Sequence, residues 1–269
     1  MTHHHEDPRE ISLESEQYNA TLVERIDQTS DLATFRVRMD GDAVPFEPGQ
    51  YMTIGVFADG KLVQRPYSVA SAPRDVGDGY EFYVRLVPIL RFTTLLWRLP
   101  VGHGMRMIGP KGKFLLEPDD DRTHLFISTG TGIAPFISMT RELLAAGTPR
   151  KTVMLHGCSF ADELGYREQL EAWEREGSYP LRYVPTISRP NDPRNAGWTG
   201  YTGRAEAVVA DVCRDLALKP EKTVVYICGN PEMILNAEAV LMDRGFPEFH
   251  VKKELYWPKG KQAGAPAAG

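Results

Sequence analysis

Two hydrophobic rhythms divide this chain. Before about residue 110, apolar and polar positions alternate in short runs, the period of half-buried strands. Residues 18–27 and 32–39 are the first two runs, the second alternating through Phe35, Val37 and Met39. Pro45, Pro48 and Gly49 punctuate the next turn, residues 51–57 alternate again, and Asp59-Gly60 is a tight-hairpin dipeptide. Residues 62–70, 80–87 and 105–109 bring the count to about six strands, the number expected of a small antiparallel barrel. One helical stretch interrupts them at residues 93–99, with Leu95, Leu96 and Leu99 on one face and Thr93 as an N-cap candidate.

The rhythm then changes. Strand-like runs at 123–128, 152–156, 181–186 and 223–228 alternate with helical stretches at 135–146, 161–176, 205–216 and 231–244. That alternation predicts βαβ units and a parallel sheet. The expected fold has two domains: an antiparallel six-stranded β-barrel over residues 17–118, then an α/β parallel-sheet domain over residues 123–257. Asp119-Asp120-Asp121 reads as the linker between them. Residues 1–16 are expected to be poorly ordered, and the Gly-, Ala-, Pro- and Lys-rich tail at 258–269 disordered.

Composition narrows the class. With 269 residues, 42% hydrophobic and 25% charged, the chain has the make-up of a soluble globular protein. A net charge of −5 gives no reason to expect nucleic-acid binding. Cys158, Cys213 and Cys228 fit no C-x-x-C spacing and cannot pair evenly, which favours a reducing, cytoplasmic setting. No apolar run is long enough to span a bilayer, so no membrane association is expected. The polar, acidic N-terminus is no signal peptide, and its His3-His4-His5 run lacks neighbouring ligands for a metal. His103, His124 and His156 are too scattered for a Ser/His/Asp set, and a monomer is the default expectation.

Five segments carry candidate chemistry. Arg65-Pro66-Tyr67-Ser68 ends a barrel strand. A flavin needs an aromatic plane, a cation for its pyrophosphate, donors for its ring nitrogens and exclusion of water; Tyr67, Arg65 and Ser68 can supply the first three. The same residues equally describe an edge strand with an exposed Arg and a half-buried Tyr. Arg91-Phe92-Thr93-Thr94 opens the short helix, as an anion site or as an ordinary cap. Gly130-Thr131-Gly132-Ile133-Ala134-Pro135 joins the first strand of the second half to its helix. Its glycines let a pyrophosphate approach the backbone, although plain strand-to-helix turns share this composition.

The other two lie further along. Ser188-Arg189 and Gly203-Arg204 follow the third strand, where ligands of open α/β sheets bind. Arginines there with no acidic residue at the strand end favour a 2′-phosphate, hence NADP over NAD; two solvated arginines are the plain alternative. Cys228-Gly229-Asn230-Pro231 ends the fourth strand, with Cys228 either a core thiol or a polarisable neighbour of the nicotinamide.

Together these segments resemble the ferredoxin–NADP reductase family, most closely the bacterial ferredoxin/flavodoxin–NADP reductases. The resemblance covers about residues 18–257. It rests on the segments at 65–68, 81–88, 130–135, 202–204 and 228–233 and on the ending Glu254-Leu255-Tyr256-Trp257. It implies FAD on the barrel and NADP on the α/β domain. Arg65, Pro66, Tyr67 and Ser68 match the flavin-binding strand, Tyr83, Val84 and Arg85 the segment along the ribityl and phosphate, and Arg91, Phe92 and Thr93 the phosphate loop. Thr131, Gly132, Ser188, Arg189 and Arg204 match NADP contacts, Thr131 lying near FAD as well. Cys228, Gly229, Asn230 and Pro231 match the nicotinamide side. Tyr256 and Trp257 match a C-terminal aromatic pair that covers the flavin or its adenine, and Ser68, Cys228, Glu254 and Tyr256 are the candidates nearest the reacting rings.

The implied activity passes a hydride from NADPH to flavin N5 and then single electrons to ferredoxin or flavodoxin, with Tyr256 displaced as a gate. Two departures stand out: Val87-Pro88-Ile89-Leu90 precedes Arg91 where the family has a polar residue and a Gly, and Ser159 stands where some bacterial members carry an Arg. Three other readings stay open. One is an oxygenase reductase component with its own [2Fe–2S] domain, which three cysteines cannot ligate as four thiolates. The others are a nucleotide-binding module without turnover and a free-flavin or quinone reductase of the same fold.

Overall fold

Asp59 and Gly60 both adopt positive φ, 51° and 68°, and fold β3 (Tyr51–Ala58) back onto β4 (Lys61–Ser68) in a tight hairpin. The computed structural model describes residues 11–118, 120–177 and 179–255. Strands β1 (Ala20–Thr29), β2 (Leu32–Met39), β5 (Tyr80–Arg85) and β6 (Gly104–Lys111) complete an antiparallel sheet in the order β4-β3-β6-β1-β2-β5. Its two edges meet at a Val69–Phe82 bridge and an Ala70 N to Glu81 O bond of 2.8 Å, so the sheet closes into a barrel. Alternating residues, among them Leu22, Phe35, Val37, Ile54, Val56, Phe82 and Met105, fill it.

The helix α1 spans Arg91–Leu96 and plugs the barrel with Phe92, Leu95 and Leu96. It starts two residues before the expected Thr93. The extended Leu90 is the N-cap and has no side-chain bond; the Thr93 hydroxyl instead donates to the carbonyls of Val87 and Leu90 and accepts from Val87 N. Of the stretch 1–16 expected to be poorly ordered, residues 1–10 fall outside the described residues. Ile11 and Ser12 pair with β3, Ser12 N reaching Phe57 O at 3.0 Å.

The second sheet is wholly parallel, ordered β10-β9-β8-β7-β11-β12. Its strands are β7 (Thr123–Thr129), β8 (Thr152–Cys158), β9 (Leu181–Ile187), β10 (Tyr201–Thr202), β11 (Thr223–Gly229) and β12 (Val251–Leu255). The sheet therefore has six strands where four were expected, because β10 has two residues and β12 is mostly charged. Helices α2 (Ala134–Ala145) and α3 (Arg167–Glu176) cover one face; α4 (Ala205–Asp215) and α5 (Pro231–Asp243) cover the other. Phe126, Met154, Tyr183 and Tyr226 point to the first face, while Leu125, Ile127, Leu155 and Ile227 point to the second, as a period of two requires. The single helix expected over 161–176 is broken: a short 3₁₀ turn at Ala161–Glu163 is followed by Tyr166 at φ 61°, and α3 starts only at Arg167.

The first-face cluster also contains Leu32, Ala70 and Tyr83 from the barrel half, so the two halves are in apolar contact through it. His124 and His156 are fully buried in the parallel sheet. Desolvation depresses both imidazoles from the ordinary 6.5 to about 4; nearby Arg150 adds to the shift at His124, and the bond to Gly130 opposes it at His156. The unfolded chain thus binds more protons than the native one between pH 6.5 and about 4. Stability is complete above that window and is lost as the pH falls through it. Urea midpoints should drop across the window, and NMR should find both imidazoles neutral midway through it. A flat midpoint together with two charged imidazoles would contradict this account.

Candidate active site at the junction of the two domains

On β4 the side chains of Arg65 and Tyr67 share one face and Ser68 takes the other. The partly buried Tyr67 ring packs on Phe92 of α1, with centroids 5.8 Å apart, and burial pushes its phenol up. Arg65 is exposed; its guanidinium touches only the Gln64 carbonyl, at 2.9 Å, and makes no ion pair among the described residues. Pro66 is exposed beside it. Arg91 is held differently, clamping the hairpin through Asp59 at 2.5 Å and the Ala58 carbonyl at 3.2 Å. Its Nε is buried without a partner among the described residues, as is Gln64 Oε1.

The segment Tyr83-Val84-Arg85 faces the other domain and the core. The Tyr83 hydroxyl donates to Gln28 at 2.9 Å and lies 3.4 Å from the Glu163 carbonyl. Val84 is in the barrel core, and Arg85 pairs with Asp31 and Glu163 at 2.8 and 3.1 Å.

In the parallel sheet the chain runs outward from β7 through β8 to β9, then returns to lay β11 on the other side of β7. The crevice above β7 and β11 is the topological switch point, where such sheets bind ligands. Gly130–Ile133 forms a 3₁₀ turn leading into α2. A Cβ on Gly132 would sit 2.5 Å from the Cys228 carbonyl; one on Gly229, at φ 140°, would sit 2.5 Å from Thr129 Oγ1. The two turns are thus locked together by bare backbone. Above Gly130, at φ 52°, there is open space, and Thr131 is part-exposed beside it. Asn230 N donates to Thr129 Oγ1 at 3.0 Å, and its side chain caps α5 through Glu232 N and Met233 N ahead of Pro231.

Three of the four residues expected nearest the reacting rings meet here. Ser68 Oγ donates to Glu254 Oε2 at 3.4 Å across the two domains, and Glu254 pairs in register with the buried Cys228. The fourth, Tyr256, lies outside the described residues, as do Trp257 and the 258–269 tail. At the far side Ser188 bonds through its N–H to the Cys158 carbonyl, and the exposed Arg189 lies over Phe160 at 5.3 Å. Arg204, 63% exposed, stands before α4 with Glu206 and Glu232 only at 3.9 and 3.8 Å.

Sequence reasoning missed the polar groups that lock the junction. Glu81, 7% exposed, takes Arg36, Arg141 and Tyr166 at 2.9, 2.9 and 2.8 Å. Ser138 Oγ donates to the Ser71 carbonyl at 2.7 Å. The one available signal was a Glu at the start of the mostly apolar run of β5. His156 bridges Gly130 O and Tyr183 at 3.1 and 3.3 Å, steadying the glycine turn from below, and burial pushes the neighbouring Cys158 thiol up to about 12.

The groups present fit a flavin on the barrel rim and a dinucleotide over the glycine turn. There is an aromatic wall at Tyr67, open space above the Gly130 backbone and, among the described residues, a cation without an ion pair at Arg65 and an Arg91 Nε without a partner. Fold and site together define a two-domain flavin and pyridine-nucleotide oxidoreductase.

The comparisons agree. Residues 19–115 match the oxidoreductase FAD-binding domain and residues 126–239 the oxidoreductase NAD-binding domain. Ferredoxin–NADP reductase B of Sorangium cellulosum is 36% identical over 222 residues, covering 81% of this chain and 88% of that one. The phenol hydroxylase P5 protein of Acinetobacter pittii is 30% identical over 253 residues, covering 93% and 69%. A ferredoxin NADP+ reductase structure from Neisseria gonorrhoeae with bound FAD and NADP shares the fold, with a TM-score of 0.77 over 89% of this chain and 99% of that one at 24% identity. The chain belongs to the ferredoxin–NADP reductase family.

Gly132→Ala tests the glycine lock. Its Cβ would meet backbone, which cannot rotate away, so the variant should lose about 1–3 kcal/mol of stability and bind pyridine nucleotide more weakly. Urea unfolding and nucleotide titration measure both. Wild-type values on each would refute the lock.

Proposed function

We propose that this protein is an FAD-dependent NADPH reductase that delivers single electrons to a ferredoxin or flavodoxin. The observation that carries this reading is the meeting of Ser68, Glu254 and Cys228 where the barrel rim abuts the switch point of the parallel sheet. A flavin held there would supply the conversion between two-electron and one-electron transfer, chemistry that belongs to the cofactor.

The chain's own residues bind, orient and shield. The Tyr67 ring, held by Phe92, supplies the apolar wall, and Arg65 faces the pyrophosphate. The Ser68 hydroxyl, tied to Glu254, is the protein group that can hold a proton next to the ring nitrogens. Cys228 is fully covered in this structure and, once uncovered, would offer the nicotinamide a small, polarisable thiol. Gly132 and Gly229 keep the backbone low enough for ring stacking, and Arg189 and Arg204 meet the 2′-phosphate at the far end.

A second reading has a specific observation behind it. The similarity to the phenol hydroxylase P5 protein extends over more of this chain than that to the Sorangium reductase, so a reductase serving an oxygenase is the alternative. The acceptor separates the two: rapid reduction of flavodoxin or ferredoxin by the NADPH-reduced protein supports the first. Reduction of free flavin or quinone alone, or of an oxygenase alone, rejects it.

The primary test is an absorbance spectrum followed by anaerobic titration with NADPH and with NADH. A flavin spectrum that bleaches at much lower NADPH than NADH is expected; a protein that stays colourless after incubation with FAD would sink the proposal. Arg189→Ala should raise the KM for NADPH about tenfold, the size of one charge-assisted phosphate contact, with little change for NADH. Equal effects on both nucleotides would remove Arg189 from the 2′-phosphate.

A further inference from the structure

Two arginines lie against one phenyl ring beyond the end of β8. Phe160, 8% exposed, has the guanidinium carbon of Arg194 3.7 Å from its centroid and that of Arg189 at 5.3 Å. The stack is anchored from below by Asn195, only 3% exposed. Its side-chain amide donates to the carbonyls of Ser159 at 3.1 Å and Arg189 at 2.8 Å and accepts from Ala161 N at 2.8 Å. One buried side chain therefore ties the end of β8 to the loop after β9, on the carboxyl edge where open α/β sheets take their ligands.

The two arginines differ in their partners. Arg189 makes no ion pair among the described residues. Arg194 is forked onto Asp162, with Nη2 at 2.7 and 2.9 Å from the two carboxylate oxygens and Nε at 3.3 Å. That pair is 45% and 52% exposed on its two sides, so water screens it and it is easily exchanged. A phosphate monoester has more charge than a carboxylate and three acceptor oxygens, and it is the stronger partner for a guanidinium fork.

We propose that Arg194 is a further specificity-determining residue of the nucleotide site: it leaves Asp162 to bind the 2′-phosphate beside Arg189, and Asp162 sets the threshold for that exchange. This rests on the NADPH reading above and names the device that enforces it. A ribose 2′-hydroxyl has too little charge to displace the carboxylate, so a nucleotide without the phosphate leaves Arg194 where it is. The discrimination then comes both from an added contact and from a resident competitor that weak ligands cannot remove.

Calorimetric titration of the FAD-loaded protein with 2′-phospho-AMP and with 5′-AMP tests this without turnover. Arg194→Ala should weaken 2′-phospho-AMP about tenfold, and Asp162→Asn should tighten it about three- to tenfold, each shift being on the scale of one charge-assisted hydrogen bond. Affinity for 5′-AMP should stay within about twofold in both variants, because Arg189 over Phe160 and the buried Asn195 remain in each. The double variant decides the mechanism. If Asp162→Asn tightens binding only when Arg194 is present, the exchange is supported. If it tightens binding equally in the Arg194→Ala background, the effect is bulk charge and the proposal is overturned. Wild-type preference for 2′-phospho-AMP with neither variant altering it overturns the role of Arg194 and leaves the NADPH reading standing. No wild-type preference overturns both.

Discussion

The carboxylate of Glu81 is the constraint on which the rest of the structure depends. It sits on β5 at the seam where the barrel closes, its own carbonyl accepting from Ala70 N and its own N–H donating to Ser71 Oγ at 3.1 Å. Its side chain is shared by Arg36 of the barrel and by Arg141 and Tyr166 of the α/β half. Arg141 also donates to the Ala70 carbonyl at 3.0 Å, so the same cation ties the seam and the carboxylate. A charge buried this deeply cannot be left with a partner missing; breaking such a pair typically costs about 3–5 kcal/mol. The two domains are therefore held at one orientation by a polar network, while the apolar surface around Leu32, Ala70 and Tyr83 supplies much of the contact.

That orientation decides whether there is a site at all. Ser68 comes from the barrel rim; Cys228 and Glu254 come from the far sheet, and their meeting depends on how the two halves are docked. The glycine lock solves the remaining problem, since a side chain at Gly132 or Gly229 would push the β7 and β11 turns apart. Ring stacking across a domain cleft needs reacting atoms at near-contact distance, and small misplacements cost rate steeply. On the proposed reading, a buried carboxylate network and two bare glycines meet that demand from opposite sides.

Much of this was legible in the chain and some was not, for identifiable reasons. The barrel and the parallel sheet announced themselves because their core strands carry unbroken apolar periodicity, as in Phe35-Arg36-Val37 and Phe126-Ile127. β12 was invisible because Lys252, Lys253 and Glu254 make it read as a solvated run, which is how an edge strand protects itself. Tyr166 hid the break before α3, since a positive φ at a non-glycine residue leaves no mark in sequence. Thr93 looked like an N-cap, yet its hydroxyl braces the preceding loop. Ser68 and Cys228 stood out in the sequence as candidate site residues, whereas Glu81, Arg141 and Tyr166 did not stand out as a network. Their partners lie 60 and 85 residues apart, and no local spacing encodes such a pairing.

The layout also separates two properties that a single site would mix. On the proposed reading, ring contact belongs to the crevice over β7 and β11, whereas Arg189 and Arg194 lie beyond β8 and β9, over Phe160. A phosphate held at that remote point would then contribute equally to the ground and transition states. Such uniform binding changes KM and leaves kcat alone. Changes at Arg189, Arg194 or Asp162 can then shift the choice of nucleotide while the geometry around Ser68, Glu254 and Cys228 stays as it is. Asn195 is the exception, because it is pinned to the end of β8 as well as to the Arg189 carbonyl. From β8 the chain of contacts runs through Cys158 and His156 to the Gly130 turn. On the same reading a disturbance at Asn195 has a physical route to both ends of the nucleotide, so selectivity and ring geometry would be separable at the arginines and coupled at the residue that holds them.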